Sequence, residues 1–408
     1  MLETGKNIAL TEATALVQAN AVPVRQERVR LDKAFGRVLQ VAVIASRDQP
    51  PFKASAMDGY AIQSNSLDPY TDGLTLTLIG KSVAGRHFKG KVARGEAVRI
   101  FTGAPVPEDC DRVIIQENTK PVHGGVEILP DALRPPAHVR QSGQDFKRGQ
   151  ELLCSGLRLD PWRLSLVAAA GLSKVIVARR PKIAVLCTGD ELVLPGNDPE
   201  TDQIFESASF ALMALIAQWG AKASYVGLQG DTEKAIHKAL KSVKADLIVT
   251  VGGASVGEFD LVKPALTKLG LNLEFSSISV RPGKPTSFGA LADGRRVLGL
   301  PGNPASAFVM AQLLLKPWIE ASLGISSGDT FVTAISQGPL PGNGPRESYL
   351  RGKLSRSLQG QVQVSAFDDQ DSSLVSVFAR ADALIRLAPN SLPQNAGARV
   401  EVIALDRM

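Results

Sequence analysis

The sequence predicts an α/β multidomain protein. It comprises a doubly wound α/β domain on a parallel sheet, a helical segment, an inserted β-rich domain and a small, barrel-like C-terminal β domain. Three observations carry this reading. The chain has 408 residues, more than one hydrophobic core supports. Strand-like and helix-like runs alternate across 181–322, the pattern of a parallel sheet covered on both faces. On either side, at 50–145 and 329–408, Gly and Pro separate short β-rich runs.

The N-terminal segment reads as helix, first "LTEATALVQA" with Thr11 as its N-cap, then "RVRLDKAFGRVL". The β-rich insertion rests on "LTLTLIG", "EAVRIFTG", "DRVIIQE" and "GVEIL". A second helix is marked in "DPWRLSLVAAAG" by Asp160 at the N-cap, Pro161 at the first position and Gly171 past the end. This helix is expected to pack with the N-terminal helices. The expected domains are therefore 1–48 with 146–179, then 49–145, 180–328 and 329–408. In the α/β domain the strands are "KIAVLCT", "ASYVGL", "ADLIVTV" and "LEFSSISV", with helices near 204–219, 231–242, 260–270 and 304–322. The C-terminal strands are "TFVTAIS", "QVQVSAF", "ALIRLA" and "RVEVIAL".

Composition excludes several classes. Forty-six Lys and Arg against 40 Asp and Glu give +6, scattered along the chain rather than gathered into a nucleic-acid-binding stripe. The three cysteines, Cys110, Cys154 and Cys187, have no CxxC spacing, which argues against a disulfide framework or structural zinc. The four histidines show no metal-ligand spacing and read as surface residues. No signal peptide is evident and no apolar run is long enough to span a bilayer, so a cytoplasmic location without nucleic-acid or membrane partners is expected.

In open α/β sheets, ligands bind beyond the carboxyl ends of the strands. Four Gly- or Pro-rich loops fall there: "CTGDEL" at 187–192, "GGASVGEFD" at 252–260, "RPGKP" at 281–285 and "LPGNPASA" at 300–307. The 252–260 loop is neither a Walker A loop nor a dinucleotide fingerprint, because its glycines fall at relative positions 1, 2 and 6. Its glycines still let backbone N–H groups face an anion, and Arg281 and Lys284 add cations. Glu258 and Asp260 at its exit make sense if a divalent cation stands between them and phosphate, since Mg²⁺ takes one or two carboxylates plus phosphate oxygens and water. Asp260 and Asp231 each also sit where a helix N-cap is wanted, and Pro301 and Pro304 suit a turn and helix start. A second set lies in the insertion: Asp58 in "SAMDGYAI", Thr102 and Gly103 in "FTGAPVPED", and Arg140, Asp145 and Lys147 in "RQSGQDFKRG". Asp-Gly and Thr-Gly pairs are also ordinary turn formers.

Taken in order, "SAMDGYA", "TGAPVP", "TGDEL", "GGASVGEFD", "PGKP" and "GLPGNPASA" resemble the molybdopterin molybdenumtransferase family, the MoeA-type proteins and the matching domain of gephyrin. The match runs through nearly the whole chain. The resemblance implies a MogA-like α/β domain, one similar to the molybdopterin adenylyltransferases. It also implies an activity: adenylylated molybdopterin and molybdate are the substrates, Mg²⁺ is the cofactor, molybdenum is inserted at the dithiolene sulfurs and AMP is released. Partners implied are a second copy in a homodimer whose site is shared between subunits, the adenylyltransferase, and the acceptor molybdoenzyme machinery.

Carried over residue by residue, the resemblance gives catalytic roles to Asp58, Thr102, Asp145, Glu191, Asp231, Asp260 and Lys284. Glu191, Asp231 and Asp260 are the implied metal ligands. Arg140, Pro301, Pro304 and Ser376 are implied in binding, and the reading of the glycine-rich loops adds Gly252, Gly253, Ser255, Gly257 and Arg281 as binding residues. The chain departs from the family pattern at Ala54 and Ala208, where asparagine is common. It departs also at Thr232, in place of an acid, at Arg281, in place of lysine, and at Asp382, in place of asparagine. These departures would also suit a divergent or non-catalytic molybdopterin-binding or scaffold paralogue of the same fold.

Overall fold

The computed structural model describes residues 7–64, 74–130, 132, 136–229, 232–252, 262–325 and 331–405. The chain divides into two units. One is Met1–Glu27 with Gly36–Gln40 and Ile176–Met408; the other is Arg28–Phe35 with Val41–Val175.

The first helix, α1 (Leu10–Ala19), buries Leu10, Ala13 and Val17, a spacing that puts all three on one face. That face lies in the same core as Trp318 and Ile319, so α1 belongs to the larger unit. Its N-cap is Ala9, without a side-chain cap bond, and Thr11 lies inside the helix rather than capping it. The second expected N-terminal helix is absent. Gln26–Arg30 is extended, Leu31–Lys33 is a single tight turn, and Val43–Ile44 is a strand. "QERVR" alternates rather than following a helical period, and Gly36 takes a left-handed φ of 71°.

The smaller unit holds a six-stranded sheet. Its strands are β1 (Gly59–Ile62), β2 (Leu74–Ser82), β3 (Glu96–Ile100), β4 (Arg112–Ile115), β5 (Thr119–Val122) and β6 (Gly125–Ile128), in the order β4-β1-β3-β2-β6-β5. All neighbours are antiparallel except β2 and β3. Helix α2 (Pro161–Ala169) is built as its sequence indicates: Asp160 accepts a 2.8 Å hydrogen bond from Arg163 N–H, Pro161 opens it, and Gly171 at φ 86° ends it. It lies in this unit, whereas α1 lies in the other.

The larger unit carries the α/β sheet. Its strands are β7 (Lys182–Thr188), β8 (Lys222–Gln229), β9 (Leu247–Val251), β10 (Asn272–Phe275), β11 (Ser287–Ala290) and β12 (Arg296–Leu300), ordered β8-β7-β9-β12-β11-β10. The first four are parallel, while β11 runs antiparallel to both neighbours. The sheet is therefore mixed rather than wholly parallel. Period-two alternation splits the strands between two cores. Ile183, Val185, Leu247, Val249, Leu298 and Leu300 face one, while Leu186, Ile248 and Val297 face the other. Helix α3 (Ala208–Gln218) covers the first face, with Pro304–Met310 (α6), a wider turn at Ala311–Leu315, and Lys316–Leu323 (α7). The helices α4 (Glu233–Lys241) and α5 (Val262–Thr267) cover the second.

The expected fourth strand, "LEFSSISV", is three short pieces with three partners. Asn272–Phe275 edges the sheet, Ser277–Ile278 pairs with Asn7–Ile8, and Val280–Arg281 pairs with Glu347–Ser348. The fourth parallel strand is β12, reached through a hairpin whose Gly294 has φ 86°. The C-terminal strands β13 (Val332–Ser336), β14 (Glu347–Arg356), β15 (Val362–Ala366), β16 (Ala383–Leu387) and β17 (Arg399–Ala404) form a closed five-stranded barrel. The order is β14-β15-β13-β17-β16, and β16 pairs back onto β14. Closure removes the exposed edges that so small a sheet would otherwise present. One short helix, α8 (Val375–Arg380), follows β15. Among the described residues no helix is long and apolar enough to cross a membrane.

Candidate functional site

In the larger unit, a cavity of about 740 Å³ opens at the carboxyl ends of β7, β9 and β12. Glu191, Gly252, Pro301 and Pro304, all selected from the sequence, line it. Three loops meet here at very short range. Gly252 has φ 91°, and a Cβ on it would lie 2.4 Å from the Thr188 carbonyl oxygen; a Cβ on Gly302 would lie 3.5 Å from the α-carbon of Gly252. Only glycine at 252 allows the β7 and β9 ends to close this tightly, while the Gly302 contact is an ordinary one. Glu191 belongs to a turn closed by Leu192 N–H to Gly189 O at 3.2 Å. Its carboxylate folds back over Gly189, whose hypothetical Cβ would stand 2.5 Å from Oε2. The Thr188 hydroxyl on the same wall is buried without a hydrogen-bond partner among the described residues.

The Pro301–Pro304 loop is tied to the segment before α8. Asn303 Nδ2 donates to Ser372 Oγ at 2.9 Å and Ala305 N–H to Ser372 O at 3.2 Å. Ser373 and Val375 of that segment line the cavity, but Ser376 does not. Lys284 and Arg281 are exposed and are not among the lining residues either, although Pro285 is. The Lys284 carbonyl accepts from Ile278 and Thr286 N–H at 3.0 and 2.8 Å, which straps the "PGKP" turn in place. Asp231, Gly253, Ser255, Gly257 and Asp260 lie outside the described residues, as does Glu258. A second hollow, about 690 Å³ between β8 and α4, is lined by Tyr225, Lys238, Ser242 and Lys244 and contains no motif residue.

Sequence reasoning missed Glu206 on the cavity wall. It is 1% exposed, yet its carboxylate faces no cation among the described residues. It accepts instead from Ser209 N–H at 2.8 Å, from Ser209 Oγ at 2.5 Å and from the Cys187 thiol at 3.5 Å. Burial, then the Glu206 charge, pushes the Cys187 thiol far up, so it stays a donor. Burial, then the Cys187 and Glu206 charges, pushes the Tyr225 phenol up to about 12. The available signal was the acid two residues before a small apolar helix, a capping arrangement.

In the smaller unit Asp58 precedes β1 and Thr102 follows β3. Thr102 N–H and Oγ both donate to Asp58 Oδ1 at 2.8 Å. These two bonds, backbone first, and the nearby Arg99 hold the Asp58 carboxyl below the usual carboxylate range. Gly59 is present for close approach rather than for a turn: a Cβ would sit 1.9 Å from the Ile114 carbonyl oxygen across β1 and β4. Gly103, at φ 80°, is the turn residue that the sequence indicated. Arg140, Asp145 and Gly103 line a cavity of about 460 Å³ with Arg47, Gln49 and Ala54. Asp145 N–H donates to Gln49 O at 2.9 Å.

Two of the departures have structural work. Thr232 is the N-cap of α4, accepting from Ala235 N–H at 3.4 Å. Asp382 pairs with Lys353 at 3.0 Å and accepts from Leu354 N–H at 3.3 Å within the barrel. Ala208 opens α3 where Glu206 binds the helix amide, and Ala54 is buried in a two-residue strand beside Val139–Arg140.

Comparison with known proteins agrees along the whole chain. Residues 8–171 match the MoeA N-terminal region (domain I and II), 184–321 a probable molybdopterin binding domain, and 333–405 the MoeA C-terminal region (domain IV). A molybdopterin molybdenumtransferase of Haemophilus influenzae is 35% identical over 384 residues, covering 93% of this chain and 94% of the relative. One of Nostoc is 34% identical over 340 residues, 80% and 77% of the two chains. The solved structure of a molybdopterin biosynthesis MoeA protein from Pyrococcus horikoshii superposes with a TM-score of 0.83 at 29% identity, over 99% of this chain and 100% of that one. The chain belongs to the MoeA-type molybdopterin molybdenumtransferase family, transferases of molybdenum cofactor biosynthesis.

Proposed function

We propose that this chain cleaves the adenylyl bond of adenylylated molybdopterin in a Mg²⁺-dependent step, inserts molybdenum from molybdate at the dithiolene sulfurs and releases AMP. The observation that carries the proposal is the convergence of Glu191, Gly252, Pro301 and Pro304 on one cavity at the carboxyl ends of the parallel strands. The accessible donors there are oxygens, the Glu191 carboxylate and the Thr188 hydroxyl, which has no partner among the described residues; the one thiol on the wall, Cys187, is buried and kept protonated. That set suits Mg²⁺ rather than a softer metal. Among the described residues no group of three His, Cys, Asp or Glu side chains could hold a metal alone. The ion would therefore be held by Glu191 together with Asp231, Asp260 and substrate phosphate oxygens.

Bound there, Mg²⁺ would neutralise phosphate charge and polarise the bond being cleaved. The chain's own groups do the positioning. The close approach at Gly252 would let the β7 and β9 loop backbones face the phosphates, and Lys284, beside the lining residue Pro285, would reach in to supply positive charge for the oxygen that develops it. Asp58, held ionised by Thr102, is an acceptor for a substrate or water proton. The test is direct: purified protein, adenylylated molybdopterin and molybdate are expected to give AMP with Mg²⁺ and none after EDTA. ATP consumption by the chain alone, or binding without AMP release, would defeat the proposal.

The active unit is proposed to be a homodimer, because two-fold dimers are the commonest closed oligomers. Sedimentation is expected to return twice the 43.3 kDa chain mass. Delivery of the substrate by an adenylyltransferase and of the product to acceptor molybdoenzymes follows from the same proposal. Arg281→Lys is expected to retain or raise turnover, since Arg281 is exposed on a two-residue strand and a point charge can serve there. A severe loss would show that the planar guanidinium is needed.

A further inference from the structure

Arg99, on β3 in the smaller unit, is held on four sides. Its guanidinium lies 4.9 Å from the Tyr60 ring centroid and 5.0 Å from that of Phe101. Nη1 donates to the Gly59 carbonyl at 3.0 Å and Nη2 to Gln116 Oε1 at 2.7 Å. Exposed arginines ordinarily sample many rotamers, and a guanidinium bonded at two nitrogens and flanked by two rings keeps one.

Three of these four contacts adjoin Asp58. Gly59 follows it in the chain, and Phe101 precedes Thr102, which gives Asp58 Oδ1 its two hydrogen bonds. Gln116 donates its own N–H to the Asp58 carbonyl at 3.0 Å. The register places Tyr60 opposite Arg99 on β1 and Lys81 opposite it on β2. Glu117, beside Gln116, takes a long 3.4 Å contact from the Gln116 amide. Arg99 is thus joined to the carbonyl that follows Asp58 and to the side chain of the residue that binds the Asp58 carbonyl, while Oδ2 of the Asp58 carboxylate has no hydrogen bond among the described residues.

We propose that Arg99 is a positioning residue for Asp58. It fixes the Gly59 carbonyl and the Gln116 side chain by its fork, and its charge keeps the carboxylate ionised with Oδ2 presented outward. The consequence for turnover rests on the reading above that Asp58 acts on substrate. The effect on the carboxylate itself does not. Arg99 is a nearby positive charge that favours the ionised form. Removing it therefore raises the Asp58 pKa and moves the acid limb of the rate profile to higher pH.

The experiment is an NMR titration of protein labelled with ¹³C at aspartate carboxyls, with the Asp58 signal assigned by its loss in Asp58→Asn. Arg99→Gln is expected to titrate at higher pH than wild type, and Arg99→Lys between the two. The acid limb of kcat/KM should move in the same order, and plateau kcat/KM of Arg99→Gln should fall about tenfold as Asp58 loses its fixed position. An unchanged Asp58 titration in a folded Arg99→Gln protein overturns the proposal. If that variant does not fold, Gln116→Ala removes one anchor of the fork and is expected to raise the same pKa; no change there overturns it equally. Full turnover by Asp58→Asn would instead overturn the reading of Asp58 as a participant, and would leave the titration result standing.

Discussion

Gly252→Ala is expected to lower turnover by about a hundredfold or more while leaving the chain folded. Gly252 follows β9 at φ 91°, a conformation that costs an L-residue roughly 1–2 kcal/mol. Its added Cβ would stand 2.4 Å from Thr188 O and 3.1 Å from Thr188 Oγ1. Thr188 cannot retreat. It ends β7, whose residues are paired with both β8 and β9 and almost all buried. The strain must fall on Gly252 itself. Unfolding in urea should show a loss of about 2–3 kcal/mol, left-handed strain plus part of the clash. Gly294→Ala is the control. That hairpin glycine has φ 86° but nothing within 4 Å of its hypothetical Cβ, so its loss should be limited to the strain, with turnover kept. Near-normal AMP release by Gly252→Ala would show that the tight meeting of β7 and β9 does not serve the chemistry.

Much of this architecture was legible because periodicity and turn chemistry carry it. The strands "KIAVLCT" and "ADLIVTV" are continuous apolar runs because each face meets a separate core. Asp160 and Pro161 start α2 by local bonds alone. Elements whose partners are remote in sequence were not legible. Strand β14 was missed because "ESYLRGKLSR" places charge inside the barrel region: Glu347 is 8% exposed and Arg351 1%. Glu347 is tolerated because Tyr349 Oη and Arg386 Nε donate to it at 2.6 and 2.7 Å, and Arg351 because Nη2 donates to Asp371 O at 3.0 Å. None of these partners is visible as a pattern. The β11–β12 hairpin did carry a signal, the Asp293-Gly294 pair between apolar runs, which weighs more than the apolar run of 273–280 that suggested a single strand.

The same distinction applies to the site. Glu191, Gly252, Pro301 and Pro304 could be selected because the loops after parallel strands are known positions, and the cavity collects all four. Arg140 and Asp145 likewise share a cavity. Glycines were harder to interpret. "DG" at 58–59 suggested a turn, whereas Gly59 is required by a carbonyl from β4, a contact fixed by sheet order and not by neighbouring residues.

Glu206→Ala is expected to destabilise the larger unit by about 3 kcal/mol, while Glu206→Gln costs about 1. The alanine variant leaves the Ser209 N–H, the Ser209 hydroxyl and the Cys187 thiol without their acceptor, at a site where Glu206 is 1% exposed and Cys187 equally buried. Buried donors left unpaired cost roughly 1–3 kcal/mol each, offset here by whatever water enters the void. Glutamine has nearly the same shape and keeps an oxygen for Ser209 N–H, while the Ser209 hydroxyl can rotate to accept from its amide. The comparison therefore separates hydrogen bonding from charge. Because Glu206 anchors the first turn of α3 and lines the cavity, the alanine variant should also lose about tenfold in kcat/KM, with glutamine close to wild type. Urea unfolding and AMP release measure both. Equal, large losses in the two variants would mean that the negative charge itself is required at the cavity wall. An alanine variant within about 0.5 kcal/mol of wild type would mean that water satisfies all three donors and that Glu206 does not hold α3 in place.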